Sequence, residues 1–181
     1  VLTPSAWAVL CAQAAHYDDP GRFLAISGYE RSFRELIDGK NSSNHRIVLF
    51  PGHGEDGLYH HTESDADTEE KFVERMEHTD AFIYPHHPTW RIIPSSRLGG
   101  VEVCSSWDIY MHMASTIPQA LQQGYRLAFI GSSDTHRIVP GMWGSLMGVW
   151  AEELTRKAIF EALWARRCFA TNGERLFFDV R

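Results

Sequence analysis

AFIGSSDTHR, residues 128–137, passes from an apolar run into small polar residues and then into an aspartate and a histidine one residue apart. Ala128 to Gly131 is a short continuous apolar run, the pattern of a strand buried on both faces. Such strands belong to parallel sheets covered by helices, where side chains just past the strands' carboxyl ends converge in one crevice. The stretch therefore predicts a fold class and also a place to look for chemistry.

Working outward, RFLAISGYE (22–30), HRIVLF (45–50), DAFIYPHHP (80–88) and GGVEVCSS (99–106) read as further strand-like runs. Between them lie helical patterns. Thr3 or Ser5 can cap a first helix running to about Tyr17. RSFRELIDG (31–39) reads as a short helix ended by Gly39, and KNSSN (40–44) as a loop. Asp67 or Thr68 can cap EEKFVERMEHT (69–79), while 108–124 is helical with a break permitted at Pro118. ELTRKAIFEALWARR (153–167) is the strongest helix, followed by short strands in CFATNG (168–173) and RLFFDVR (175–181). The polar stretch 51–67 is a long loop. Strands alternating with helices imply an α/β fold of one domain over residues 1–181, with about 174–181 beginning a further β segment.

Seventeen basic against 23 acidic residues leave a net charge of -6, which removes any bulk electrostatic reason to expect nucleic acid or an anionic membrane. No apolar run reaches membrane-spanning length. Three scattered cysteines, Cys11, Cys104 and Cys168, signal neither a disulfide framework nor a cysteine zinc site, which fits a reducing, cytoplasmic setting. The sequence opens on Val1, so a fragment or a processed product is expected.

The strand ends supply Glu30, His86, His87, Asp134 and His136, with Glu102 inside its strand and His45 at the start of its own. Imidazoles and carboxylates together suit zinc, manganese or iron, ions that acidify a bound water into a nucleophile near neutral pH. Alone, DTH reads as a turn-forming Asp beside a surface His, and PHHP as a stiff polar turn. Three such elements at three strand ends point to a metal site. His53, His60 and His61 in the long loop read as solvated, and His16, His78 and His112 as helix-surface residues. Arg46, Arg91 and Arg137 lie within four residues of candidate ligands, and a guanidinium suits the paired oxygens of a phosphate. Surface ion pairs are the alternative. Trp90 and Trp107 read as pocket walls or as core.

In order, ISGYE (26–30), HRIVLF (45–50), IYPHHP (83–88), GVEVCSSWD (100–108), IGSSDTHR (130–137) and residues 148–173 resemble the polymerase-and-histidinol-phosphatase (PHP) superfamily. The nearest likeness is to its branch of bacterial proteins of unknown function. The resemblance runs from about Pro20 to Gly173. It implies a distorted (β/α)7 barrel with one to three divalent ions at the strands' carboxyl ends, and phosphoester hydrolysis. Glu30 resembles the family's bridging carboxylate, and His45 the histidine opening the next strand. One of His86 and His87 resembles the histidine after the following strand, and Asp134 with His136 the closing Asp-x-His. The family opens on a His-x-His strand, and none stands ahead of Glu30 here. The barrel is therefore expected to lack its first strands in this chain, with an upstream segment or a homo-oligomer contact covering the exposed edge.

The function expected is a metal-dependent phosphoesterase acting on a small phosphorylated substrate. Glu30 and Asp134 would lie at the reaction centre, and Arg137 or Arg46 would hold the phosphate. Two alternatives stay open. The same activated water could attack an amide or ester carbonyl, or the domain could be a metal-binding module without catalysis.

Overall fold

The computed structural model describes residues 2–37, 40–53, 58, 63, 65–87, 91–111, 116–136 and 141–178. Helix α1 (Pro4–Tyr17) starts where Thr3 accepts a hydrogen bond from the Ala6 N–H. Strands β1 (Gly28–Ile37) and β2 (Lys40–Leu49) follow, then α2 (Glu69–Met76), capped by Thr68. Next come β3 (Phe82–His86), β4 (Gly100–Cys104), α3 (Thr116–Gln122) and β5 (Ala128–Gly131). Strand β6 (Leu146–Val149), helix α4 (Arg156–Trp164, capped by Thr155) and β7 (Cys168–Thr171) complete the order.

The strands form three small sheets, not a barrel. Antiparallel β1–β2–β3 makes the first, parallel β4–β5 the second and antiparallel β6–β7 the third. Among the described residues no sheet closes on itself and only one pairing of named strands is parallel, which overturns the expected (β/α)7 barrel. The physical reason lies in residues 31–44, where the expected helix and loop are instead the two arms of an antiparallel ladder. Ile37 pairs with Lys40, so only Asp38 and Gly39 connect the arms, and Asp-Gly is a favoured two-residue hairpin connection. A hairpin needs no crossover helix, and the βαβ pattern fails there. Between β5 and α4 the chain also forms β6 (Leu146–Val149), whereas 174–178, expected to begin a further β segment, has no regular structure.

Both faces of the first sheet are covered. Tyr29, Phe33, Val48 and Ile83 alternate onto one face and pack against Trp7 and Cys11 of α1 and Phe72, Val73 and Met76 of α2. Phe82 and Tyr84 face the other way and join Ala128, Ile130, Phe160 and Leu163 in a second cluster, with Ile47 and Leu49 beside them. Residues 97–99 link the sheets. The Ile83 N–H donates to Arg97 O and the Gly99 N–H to Ile83 O, so β3 runs beside the segment that enters β4. No described helix is long and apolar enough to cross a membrane.

The α1/α2 side of the first sheet also holds a buried polar group. Arg46 and Glu69 are both buried, with Nη2 2.6 Å from Oε1. Glu69 Oε2 accepts from Asn44 Nδ2 at 3.1 Å and from Arg91 Nε at 3.2 Å. The carboxylate sits in the first turn of α2, where the helix dipole favours it. Arg46 therefore faces away from its strand neighbour His45 and is held by Glu69, which corrects its expected role as a phosphate anchor. Arg91 is engaged by Glu69 and Glu70. Glu69→Ala should lower the urea-unfolding free energy by about 3–5 kcal/mol, because it strands a buried guanidinium. Lys71→Ala, which removes an exposed pair with Asp67, should leave the transition almost unmoved.

Candidate metal centre

His86 ends β3 on the same face as Phe82 and Tyr84, because alternate residues of a strand share a face. Antiparallel pairing places His45, the start of the apolar part of β2, directly opposite His86. The next pairing sets Ser32 against His45, which brings Glu30 within reach on the same face. A residue at the beginning of one strand thus meets a residue at the end of the next. Parallel β4 and β5 run to the same place and deliver Glu102 and the segment from Ser132 to His136.

Glu102 ties these pieces together. It is fully buried, its Oε2 lies 2.8 Å from His86 Nδ1, and it accepts the His87 backbone N–H at 3.1 Å. Its other oxygen accepts from the Ser132 hydroxyl. At that distance the carboxylate is an ion-pair partner for the His86 ring when the ring is protonated. His86, 2% exposed, turns Nε2 toward Asp134 Oδ1 at 3.5 Å and Glu30 Oε2 at 4.0 Å. His87 Nε2 lies 3.5 Å from Asp134 Oδ2. On its far side, His87 Nδ1 is 3.5 Å from the Tyr110 hydroxyl, which is 2.6 Å from Ser105 Oγ. A proton on Nδ1 facing Tyr110 would leave the Nε2 lone pair bare.

Two backbone positions here are unusual. His87 (φ 69°) and Asp134 (φ 42°) both occupy the left-handed region, which costs a residue other than glycine on the order of 1–3 kcal/mol and gathers at functional sites. Both ring nitrogens of His86 and the Oδ2 of Asp134 are buried without a hydrogen-bond partner among the described residues. One ligand atom from each of His86, His87 and Asp134 lies within 4.8 Å of the others. Donors around a tetrahedral ion at zinc distances are about 3.4 Å apart. Asp134 reaches the two imidazoles with different oxygens, Oδ1 to His86 and Oδ2 to His87, each at 3.5 Å and too long for a good hydrogen bond.

The charges respond to this crowding. His45 Nδ1, 2.5 Å from Glu30 Oε1, holds the Glu30 carboxyl below its ordinary value, outweighing partial burial. Burial alone would lower the His86 pKa, but Glu102, then Asp134 and Glu30, reverse this and raise it. His87, partly buried beside His86, is lowered. Burial, helped by Glu102, pushes the Tyr110 hydroxyl up to about 12 although Ser105 opposes it, so the phenol stays protonated.

Of the expected ligands, His86, His87 and Asp134 form the cluster, and both members of the His86-His87 pair take part. Glu30 and His45 make an adjoining pair, the His45 ring 5.0 Å from that of His87. His136 stands at the rim, its side chain 78% exposed and Nε2 3.7 Å from Asp134 Oδ1. Arg137, His60, His61, His112 and Trp90 lie outside the described residues. His53 instead meets the Arg156 guanidinium at 3.3 Å. Glu102 stands among the residues that the strands supply but carries no role there, and Tyr110 and Ser132 have no place in that set. The available clue was a lone carboxylate inside the apolar run Gly100–Cys104.

Residues 105–181 match the model of a family described as a protein of unknown function (DUF3604). The matched part begins past His86 and His87 and takes in Asp134 and His136. No curated protein and no solved structure matches the chain.

Because the folded pKa of His86 is raised, its charge stabilises the metal-free protein fully below the unfolded value of about 6.5. That contribution is lost as pH rises through the folded value. Thermal melts of metal-free wild type and His86→Gln should therefore differ most near pH 5.5–6 and converge toward higher pH, by order-of-magnitude linkage. A gap that widens with pH would contradict the assigned charge state.

Proposed function

We propose that this protein is a metal-dependent hydrolase and that His86, His87 and Asp134 hold its divalent ion. The observation that carries this reading is the convergence of two imidazoles and a carboxylate with buried, unmatched donor atoms, two of the three residues held in left-handed backbone. Three protein donors with space for a fourth ligand is the arrangement of hydrolytic rather than purely structural zinc sites. An ion held there would acidify water toward neutral pH and offset charge on the reacting oxygens.

The chain's own groups then have separate tasks. Glu102 orients His86 and, through the His87 N–H, fixes the turn that presents the second imidazole. Tyr110 and Ser105 settle the His87 ring from behind. Glu30, kept ionised by His45, faces the cluster and can accept a hydrogen bond from the attacking water. The substrate favoured is a phosphoester, supported by the ordered motifs that resemble the PHP superfamily. In the net reaction the water oxygen bonds to phosphorus, the ester P–O bond breaks, and the water's proton ends on the departing oxygen.

Titration calorimetry with zinc or manganese should show stoichiometric binding, weakened beyond measurement in Asp134→Ala. Glu102→Gln should retain binding at about 10- to 100-fold lower affinity, the usual cost of losing a residue that orients a ligand. Metal-dependent release of phosphate from a panel of phosphomonoesters should vanish in Asp134→Ala. Purified protein that takes up neither ion would rule the reading out.

A further inference from the structure

Beside the cluster lies a cleft of about 390 Å³ whose lining includes Ser106, Trp107, Thr135, Trp143 and two residues of the candidate centre, Asp134 and His136. Trp107 is 62% exposed and Trp143 55%. Two large indoles facing solvent within one small cleft are costly in water and are the side chains that take up flat apolar ligands.

The walls are built, not incidental. Trp107 Nε1–H donates to the backbone carbonyl of Asp134 at 3.2 Å, and the Trp107 N–H donates to Ser105 Oγ at 3.1 Å, so this ring is tied to the ligand turn itself. Ser106 donates to Ser133 O, which draws the turn after β4 against the turn after β5. Trp143 is carried on the approach to β6, where Gly144 has φ +84° and a Cβ would meet Ser106 Cβ at 2.6 Å. The buried Ser145 hydroxyl donates to Ser105 O at 3.2 Å and closes the arrangement. The His136 ring lies 5.6 Å from that of Trp107, edge to face, at the mouth shared with the cluster. Among the described residues of the lining Asp134 is the one carboxylate, and it is turned toward the imidazoles.

From this juxtaposition we propose that the Trp107–Trp143 cleft is the specificity subsite of the proposed hydrolase, and that it takes the planar aromatic part of an aryl phosphoester. The inference rests on the metal-centre reading. Since Asp134 borders both cluster and cleft, a phosphoester held at the cluster would have the indoles within reach of its ester group. Hydrolysis would then release an aromatic alcohol into the cleft, its oxygen carrying the proton given up by water.

Binding of two inert phosphonates separates the parts. Zinc-loaded wild type should bind phenylphosphonate about tenfold more tightly than methylphosphonate, the scale of one aromatic stacking contact. Trp143→Ala should abolish that advantage while methylphosphonate binds as before, and Trp143→Phe should restore most of it. Phenylphosphonate should also quench tryptophan emission in wild type, with a smaller change in Trp107→Phe. If zinc binds but the two phosphonates bind equally, or the phenyl advantage survives Trp143→Ala, the aromatic subsite is wrong and the metal centre stands. If zinc does not bind, both fall together.

Discussion

The carboxylate of Glu102 is the constraint on which the site depends. A buried charge must be met by hydrogen bonds or opposite charge, and the partners of Glu102 come from two chain segments far apart in sequence. His86 belongs to the end of β3, the His87 N–H to the turn beyond it, and Ser132 to the turn after β5. Satisfying one anion therefore brings two sheets into register at their ends and leaves the imidazoles facing Asp134. Electrostatic need and site geometry are the same fact here.

The first sheet uses its two faces for two polar tasks. Asn44, Arg46 and Glu69 close an ion-pair group against α2, while Glu30, Ser32, His45 and His86 line the opposite face. Strand alternation separates them at the cost of no extra chain. Antiparallel pairing is what makes this possible, since it sets the start of one strand beside the end of its neighbour.

Much of this was legible from the residues. Thr3 and Thr68, each one of two candidates, cap α1 and α2, α4 starts at Arg156 behind Thr155 rather than at the expected residue 153, and β3, β4 and β5 fall inside the apolar runs that announce them. The candidate ligands were also legible, because His and Asp after an apolar run have few structural reasons to be there. The hairpin was not. Phe33, Leu36 and Ile37 repeat at helical spacing, which favours a helix over 31–39, while Arg31 between Tyr29 and Phe33 breaks the alternation that would announce a strand. Strand β6 was hidden by its glycines. Gly148 is there because the Phe169 ring lies over it, so close that a Cβ would stand 2.3 Å from the ring, a long-range fact no local pattern carries. Glu102 is visible as a carboxylate inside an apolar strand, but its work as a support appears only once its partners are known.

The reach of Glu102 also orders events in time. His87 lies 15 residues before it and Ser132 30 residues after it. The β1–β2 ladder, closed by a two-residue connection, needs none of those contacts and is the cheapest pairing in the chain to form early. A folding chain that holds the hairpin and α2 but has not yet docked β4 and β5 contains Glu30 and His45 without Glu102, Ser132 or Asp134 in place. Such a species is blind to the ion, and capture of a divalent cation reports completion of the last sheet contacts rather than nucleation of the fold.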